Sequence, residues 1–137
     1  MLDIEYESRA EIEGNLCLRE KGSAYIYTSN RIPELIVHGD FINDSAQRSN
    51  LINGRFILGG SLVQTERAVE NSISASNYFN IRFNGKDRQK IVLSHPDKVT
   101  LGNMDFRESA GVEIPDEIHG NQIYGFDKIK EKEEQDF

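Results

Sequence analysis

Few residues in this sequence have both the type and the spacing to do chemistry. His38 and Asp40 stand two apart beside an apolar run and would share one face of a strand, the beginning of a metal site or an acid–base pair. A working site needs further ligands, and His95 and His119 sit in separate loop-like stretches without metal-ligand spacing. The pair reads better as a strand end whose side chains cap backbone groups around Gly39. Cys17, the single cysteine, lies within Leu16-Cys17-Leu18, which suits a small half-buried strand residue better than an activated nucleophile. Gly59-Gly60-Ser61 outlines an anion-binding turn but lacks the lysine and spacing of a phosphate-binding loop. No nucleophile elbow, His-Glu-x-x-His motif, Cys-x-x-Cys pair or dinucleotide glycine fingerprint occurs. The reading is a non-enzymatic protein with no catalytic residues, metal ligands or cofactor.

The most specific cluster is basic and aromatic. Arg82, Lys86, Arg88 and Lys90 interleave with Phe79, Ile81 and Phe83 around Asn84-Gly85. Asn-Gly between two alternating runs is a strong hairpin signal, because both residues tolerate the positive φ of a type I′ turn. A two-residue turn over 79–90 sets Phe83 opposite Lys86 and Ile81 opposite Arg88, giving an aromatic and basic face able to hold an anion, a nucleotide or single-stranded nucleic acid, whereas a loop one residue longer sets Ile91 opposite Phe79 and makes that face ordinary core. A net charge of −7 argues against a polyanion, and nucleic acid is not the preferred partner.

Stepping outward, the elements that would carry these groups read as strands. Leu2, Ile4 and Tyr6 alternate with charged residues, Leu35-Ile36-Val37 is a buried run, and a second hairpin is expected around Lys21-Gly22. Gly39-Asp40-Phe41-Ile42 and Gly54-Arg55-Phe56-Ile57 share a pattern fifteen residues apart. Two copies do not establish a solenoid, and ordinary strands are the preferred reading. Ser61-Leu62-Val63-Gln64 matches a capping box, and Leu62, Val69 and Ile73 are spaced for one helical face, with a strand over the same residues as the alternative. The expected fold is mainly β: a twisted antiparallel sandwich or open barrel with one short helix near 61–72. Residues 1–126 form one domain, and 127–137 form a charged, solvated tail.

Charge bounds the partners. Residues 1–47 carry nine acids and four bases, 48–98 four acids and eight bases, and 99–137 ten acids and four bases. No apolar run is long enough to cross a membrane, and a lone cysteine suits a reducing compartment, so the expectation is a soluble cytoplasmic protein. The preferred function is a protein-binding module, of the immunity or antitoxin type, that inhibits a larger basic partner through Asp40, Asp44, Glu113, Asp116 and Glu117. The first alternative is an anion- or nucleotide-binding barrel using Phe79, Arg82, Phe83, Lys86, Arg88 and Lys90. The second is a structural or assembly protein built from stacked strands.

Overall fold

The structure, a computed structural model, describes residues 2–5, 9–27 and 33–131. Its fifteen strands are β1 (Leu2–Glu5), β2 (Arg9–Ile12), β3 (Leu16–Glu20), β4 (Ala24–Tyr27), β5 (Glu34–Val37), β6 (Phe41–Ser45), β7 (Ser49–Leu51) and β8 (Gly54–Leu58), followed by β9 (Leu62–Gln64), β10 (Ile73–Phe83), β11 (Gln89–Leu93), β12 (Thr100–Asp105), β13 (Val112–Glu113), β14 (Ile123–Tyr124) and β15 (Ile129–Lys130). Every pairing among them is parallel. No strand pairs with its neighbour in sequence. Each pairs with the equivalent strand one turn away, so the chain winds as a parallel β-solenoid.

The solenoid has three faces. The first holds β2, β5, β8, the end of β10, the end of β12, and β14. The second holds β3, β6, β9, β11, β13 and β15. The third holds β1, β4, β7 and the starts of β10 and β12. β10 and β12 therefore run round the edge between the third and first faces. In β12 the bend falls at Gly102, with φ of 66°, where an added Cβ would lie 2.6 Å from the Phe79 carbonyl.

This architecture replaces the expected antiparallel sandwich or barrel. The physical reason is visible at Asn84-Gly85. A type I′ turn needs positive φ at both residues, and neither has it. They form a corner instead, leading from the first face to the second, and β10 and β11 do not pair. Gly85 is required for a different reason: a Cβ there would lie 2.5 Å from the Gly59 carbonyl of the preceding turn. The hairpin expected around Lys21-Gly22 fails in the same way, since β3 pairs with β6 while β4 pairs with β1 and β7. The helix near 61–72 is also absent. Leu62–Gln64 is a strand, the Ser61 hydroxyl accepts from Lys90 N–H, and the Gln64 amide donates to the Val69 and Glu70 carbonyls. The spacing of Leu62, Val69 and Ile73 is a coincidence of two strands joined by a turn. Of the stretch read as a charged tail, Asp127 and Lys128 belong to a 3₁₀ turn that begins at Phe126, and β15 follows, while 132–137 lie outside the described residues.

The true repeat is a nine-residue pattern, apolar-x-apolar-x-Gly-polar-apolar-x-x, that starts at Ala10, Leu35 and Phe56. It begins again at Ile81, where Lys86–Arg88 fall in an insertion. Ala10, Leu35, Phe56, Ile81, Met104 and Ile123 stack in register, so successive turns take 25, 21, 25, 23 and 19 residues. The first and third apolar positions of each turn point inward by strand alternation and build one continuous core. Phe56, Phe79, Phe83, Phe106, Leu58, Leu62 and Ile81 are fully buried in it. Phe41 and Phe56, the residues of the fifteen-residue similarity, occupy different faces and meet edge-on across the core at 5.2 Å. Such a pair is worth about 0.5–1.5 kcal/mol beyond its burial.

The first corner sets the tightest constraint. His38 N–H donates to the Ile12 carbonyl at 2.9 Å, Gly39 N–H to Gly14 at 3.0 Å and Gly59 N–H to Val37 at 2.8 Å, so the ladder continues round the bend. At that spacing a Cβ on Gly39 would lie 2.8 Å from the Gly14 carbonyl, whereas nothing lies within 4 Å of one on Gly14, in the outermost turn. Gly39→Ala is expected to cost about 1–3 kcal/mol and Gly14→Ala less than about 0.5 kcal/mol. Urea unfolding of the two variants measures the difference. Equal costs would mean that the corners are not stacked this closely.

Candidate assembly interface

The expected site residues do not converge. Phe79 and Phe83 are fully buried, Arg82 lies on the outside of the first face, Lys86 and Arg88 lie at the corner, and Lys90 lies on the outside of the second face. There is no aromatic and basic hairpin surface. The acidic set is likewise dispersed. Asp40 Oδ1 accepts from Ser61 N–H at 2.7 Å, Asp44 accepts from the Thr65 hydroxyl, and Glu113, 6% exposed, lies 3.4 Å from Arg88 Nε and 3.8 Å from Lys90 Nζ. Only Asp116 and Glu117 stand in an exposed loop, where Glu117 pairs with His119 at 2.9 Å. His38 Nε2 lies 3.4 Å from Glu11 and 4.0 Å from Glu13. These three exposed groups offer ligand atoms within 4.8 Å of one another, but Glu11 is already paired with Arg9 at 3.3 Å. Cys17 is half-buried on the outside of β3.

What the polar residues do instead is join turns. At the first corner Asp40 N–H donates to Asn15 Oδ1, Ser61 N–H to Asp40 Oδ1, and Lys90 N–H to Ser61 Oγ, a ladder through four turns. Inside the second face, buried Gln64 donates to the turn at Val69–Ser72 and accepts from His95 N–H at 3.0 Å. Along the first face Glu34 bridges Arg9 at 3.3 Å and Arg55 at 3.1 Å. Above them Asn103 donates to Asn80 at 3.2 Å and Asn121 to Asn103 at 3.0 Å. Apart from the bonds of Gln64 to Val69, Glu70 and Ser72, which lie within one turn, these bonds run along the solenoid axis, the direction in which identical rungs add.

The two ends interrupt that pattern. At one end β1, β2 and β3 each have a single partner strand; at the other, β14 and β15 do. Among the described residues no further strand pairs with their outer edges. Half-buried apolar side chains lie at both ends: Leu2, Ala10, Ile12 and Leu16 at the first, Ile118, Ile123 and Ile129 at the second, all packed against the core on their inner side. Next to the second end Tyr124 is 42% and Phe126 68% exposed. An edge of unpaired amides and carbonyls beside apolar side chains is a template for another strand. Sequence reading missed this surface because it paired each strand with its neighbour along the chain. The nine-residue pattern, tracked at its irregular period, would have shown where the stack begins and ends.

No protein family model matches the chain, and neither a curated protein nor a solved structure does. Among the described residues no helix is long and apolar enough to cross a membrane.

Near the second end the stack holds one tuned carboxylate. Arg107 donates from Nε at 2.9 Å and from Nη2 at 2.8 Å to the two oxygens of Asp105, and its guanidinium lies 5.1 Å from the Tyr124 ring. These hydrogen bonds, with Arg107 N–H and the charges of Arg107 and Arg82, hold Asp105 below the usual carboxylate range against its partial burial. A lowered folded-state pKa stabilises the fold above the unfolded value of about 3.9 and is lost as pH falls through the folded value. Acid unfolding should therefore steepen below about pH 4. Arg107→Gln should remove part of the stability difference between neutral and acid pH; an unchanged difference would remove Asp105 from the account.

Proposed function

We propose that this chain is a structural module that assembles head to tail through its open β-edges. The observation that supports it is the pair of ends: unpaired strand edges flanked by half-buried apolar side chains, on a body whose bonds between turns already run along the same axis. Setting β14 of one copy against β2 of the next extends the first face, bringing Ile123 near Ala10 and Ile12. Setting β15 against β3 extends the second face, bringing Ile129 near Leu16. The contact is heterologous, using different surfaces of the two copies, and without rotational closure it grows into a filament.

A second reading uses the same edges. A different protein can add a strand to an open edge, with main-chain hydrogen bonds giving affinity and side-chain pockets giving specificity. This is the form in which a protein-binding module fits the fold. The inhibitor version loses its acidic surface, because Asp40, Asp44 and Glu113 are engaged within the stack.

The discriminating experiment is mass in solution by light scattering across a concentration series. Wild-type mass should climb with concentration without a plateau. Ala10→Lys at one end, or Ile123→Lys at the other, should stop growth at a small species of fixed mass, since an edge charge opposes strand addition. Mixing the two variants should raise the mass again, because each retains one intact end. A wild-type mass equal to one chain at every concentration would overturn the proposal, and capture of a single foreign strand by that monomer would favour the second reading.

A further inference from the structure

At the end of the first face, polar residues of two turns meet on the outside of the stack. Glu11 and Glu13 flank Ile12, which packs against the core, so strand alternation sends both carboxylates outward from the first turn. In the second turn His38 follows Val37, the register partner of Ile12, and its N–H donates to the Ile12 carbonyl at 2.9 Å. The ladder therefore sets the imidazole beside the two carboxylates. Its Nε2 lies 3.4 Å from Glu11 Oε2 and 4.0 Å from Glu13 Oε1, and the three ligand atoms all stand within 4.8 Å of one another.

Those separations are near what one ion requires. Zinc held tetrahedrally at about 2.0–2.1 Å from nitrogen and oxygen keeps its ligand atoms about 3.3–3.4 Å apart. Nε2 and Glu11 Oε2 have that spacing, and Glu13, with 86% of its side chain exposed, can swing the short distance left. The Arg9 pair leaves the site open. Arg9 Nη2 lies 3.3 Å from Glu11 Oε1, the oxygen turned away from His38, and its Nε lies 3.3 Å from Glu34. A partner on the other oxygen fixes the direction of a ligating carboxylate, as outer contacts of metal sites commonly do. Glu13 has no lysine or arginine partner among the described residues, so the two neighbouring carboxylates repel, and a divalent cation removes that repulsion.

We propose that Glu11 Oε2, Glu13 Oε1 and His38 Nε2 bind a divalent transition-metal ion of the zinc class, with water completing its shell, and that the ion staples the first turn to the second. One imidazole with two carboxylates suits zinc better than calcium or magnesium, whose sites are built from oxygen. The further ligands that His38 lacks along the chain come from the turn beside it, while Asp40 is held by Ser61 N–H. The site needs no contact between copies, so it stands or falls separately from head-to-tail growth.

The test is calorimetric titration of zinc into the chelator-treated full chain carrying Ile123→Lys, which keeps copies apart without altering this turn. One ion per chain should bind. His38→Ala and Glu11→Gln should each weaken binding by at least about tenfold. His119→Ala and Cys17→Ser should leave it unchanged, although His119 stands 2.9 Å from Glu117 and Cys17 is a free thiol. Zinc should also slow exchange of the His38 amide, whose hydrogen bond joins the two turns, and should not do so in His38→Ala. The three ligands are exposed, so their variants should fold. Absence of saturable binding, binding that survives His38→Ala, or binding lost with His119→Ala would overturn the proposal. Displacement of zinc by an equal concentration of calcium would also overturn it, as the mark of carboxylates acting without the imidazole.

Discussion

The structure depends on how closely one turn lies upon the next at the corner between the first and second faces. Glycines 39, 59 and 60 sit where the carbonyl of the turn below occupies the place a Cβ would take. That contact fixes the rung spacing, and everything else follows from the spacing. It brings Asp40 into reach of Ser61 N–H, stacks Leu35, Phe56 and Ile81 into one column, and keeps buried Gln89 donating to the Leu58 and Gly60 carbonyls at 2.9 and 2.6 Å. A side chain at the corner would have to push two turns apart, and the hydrogen bonds on both adjoining faces would lengthen together.

The strands were legible and their partners were not. Period-two alternation located Phe79–Phe83, and a continuous apolar run located Leu35–Val37, because inward and outward residues keep their pattern whichever strand lies alongside. Alternation is silent about whether the partner comes next in sequence or one turn later. Asn84-Gly85 tipped the choice towards a hairpin, since glycine is needed both for positive φ and for close backbone approach. The similarity of Phe41 and Phe56 pointed at repetition but compared two faces of adjoining turns, while the stacked repeat varies between 19 and 25 residues as loops lengthen. The same geometry spreads the candidate site residues over different faces. Arg82, Arg88 and Lys90 lie close along the chain, but a solenoid sends successive strands to different faces. Residues far apart in sequence, such as Glu11 and His38, come side by side.

A solenoid also divides its surface into two kinds. The sides are finished: their backbone bonds are made, and their side chains meet neighbours in register, as Glu34 does between Arg9 and Arg55. The ends are unfinished, with each terminal strand bonded on one edge alone among the described residues. In a closed barrel no such edge exists, and in a sandwich the edges lie along the flanks. Here they lie across the axis, where one more turn would continue the core, the glycine corner and the polar ladder. Self-addition needs no new kind of contact. It repeats, between chains, the interaction that already holds one turn to the next within the chain.

Residue-resolved amide exchange at low and high protein concentration tests that claim most directly. Amides of β5, β6, β8 and β9, inside the stack, should be protected equally at both. Those of β2, β3, β14 and β15 should exchange quickly when dilute and become protected as the concentration rises. Terminal-strand exchange that is independent of concentration would contradict end-to-end assembly.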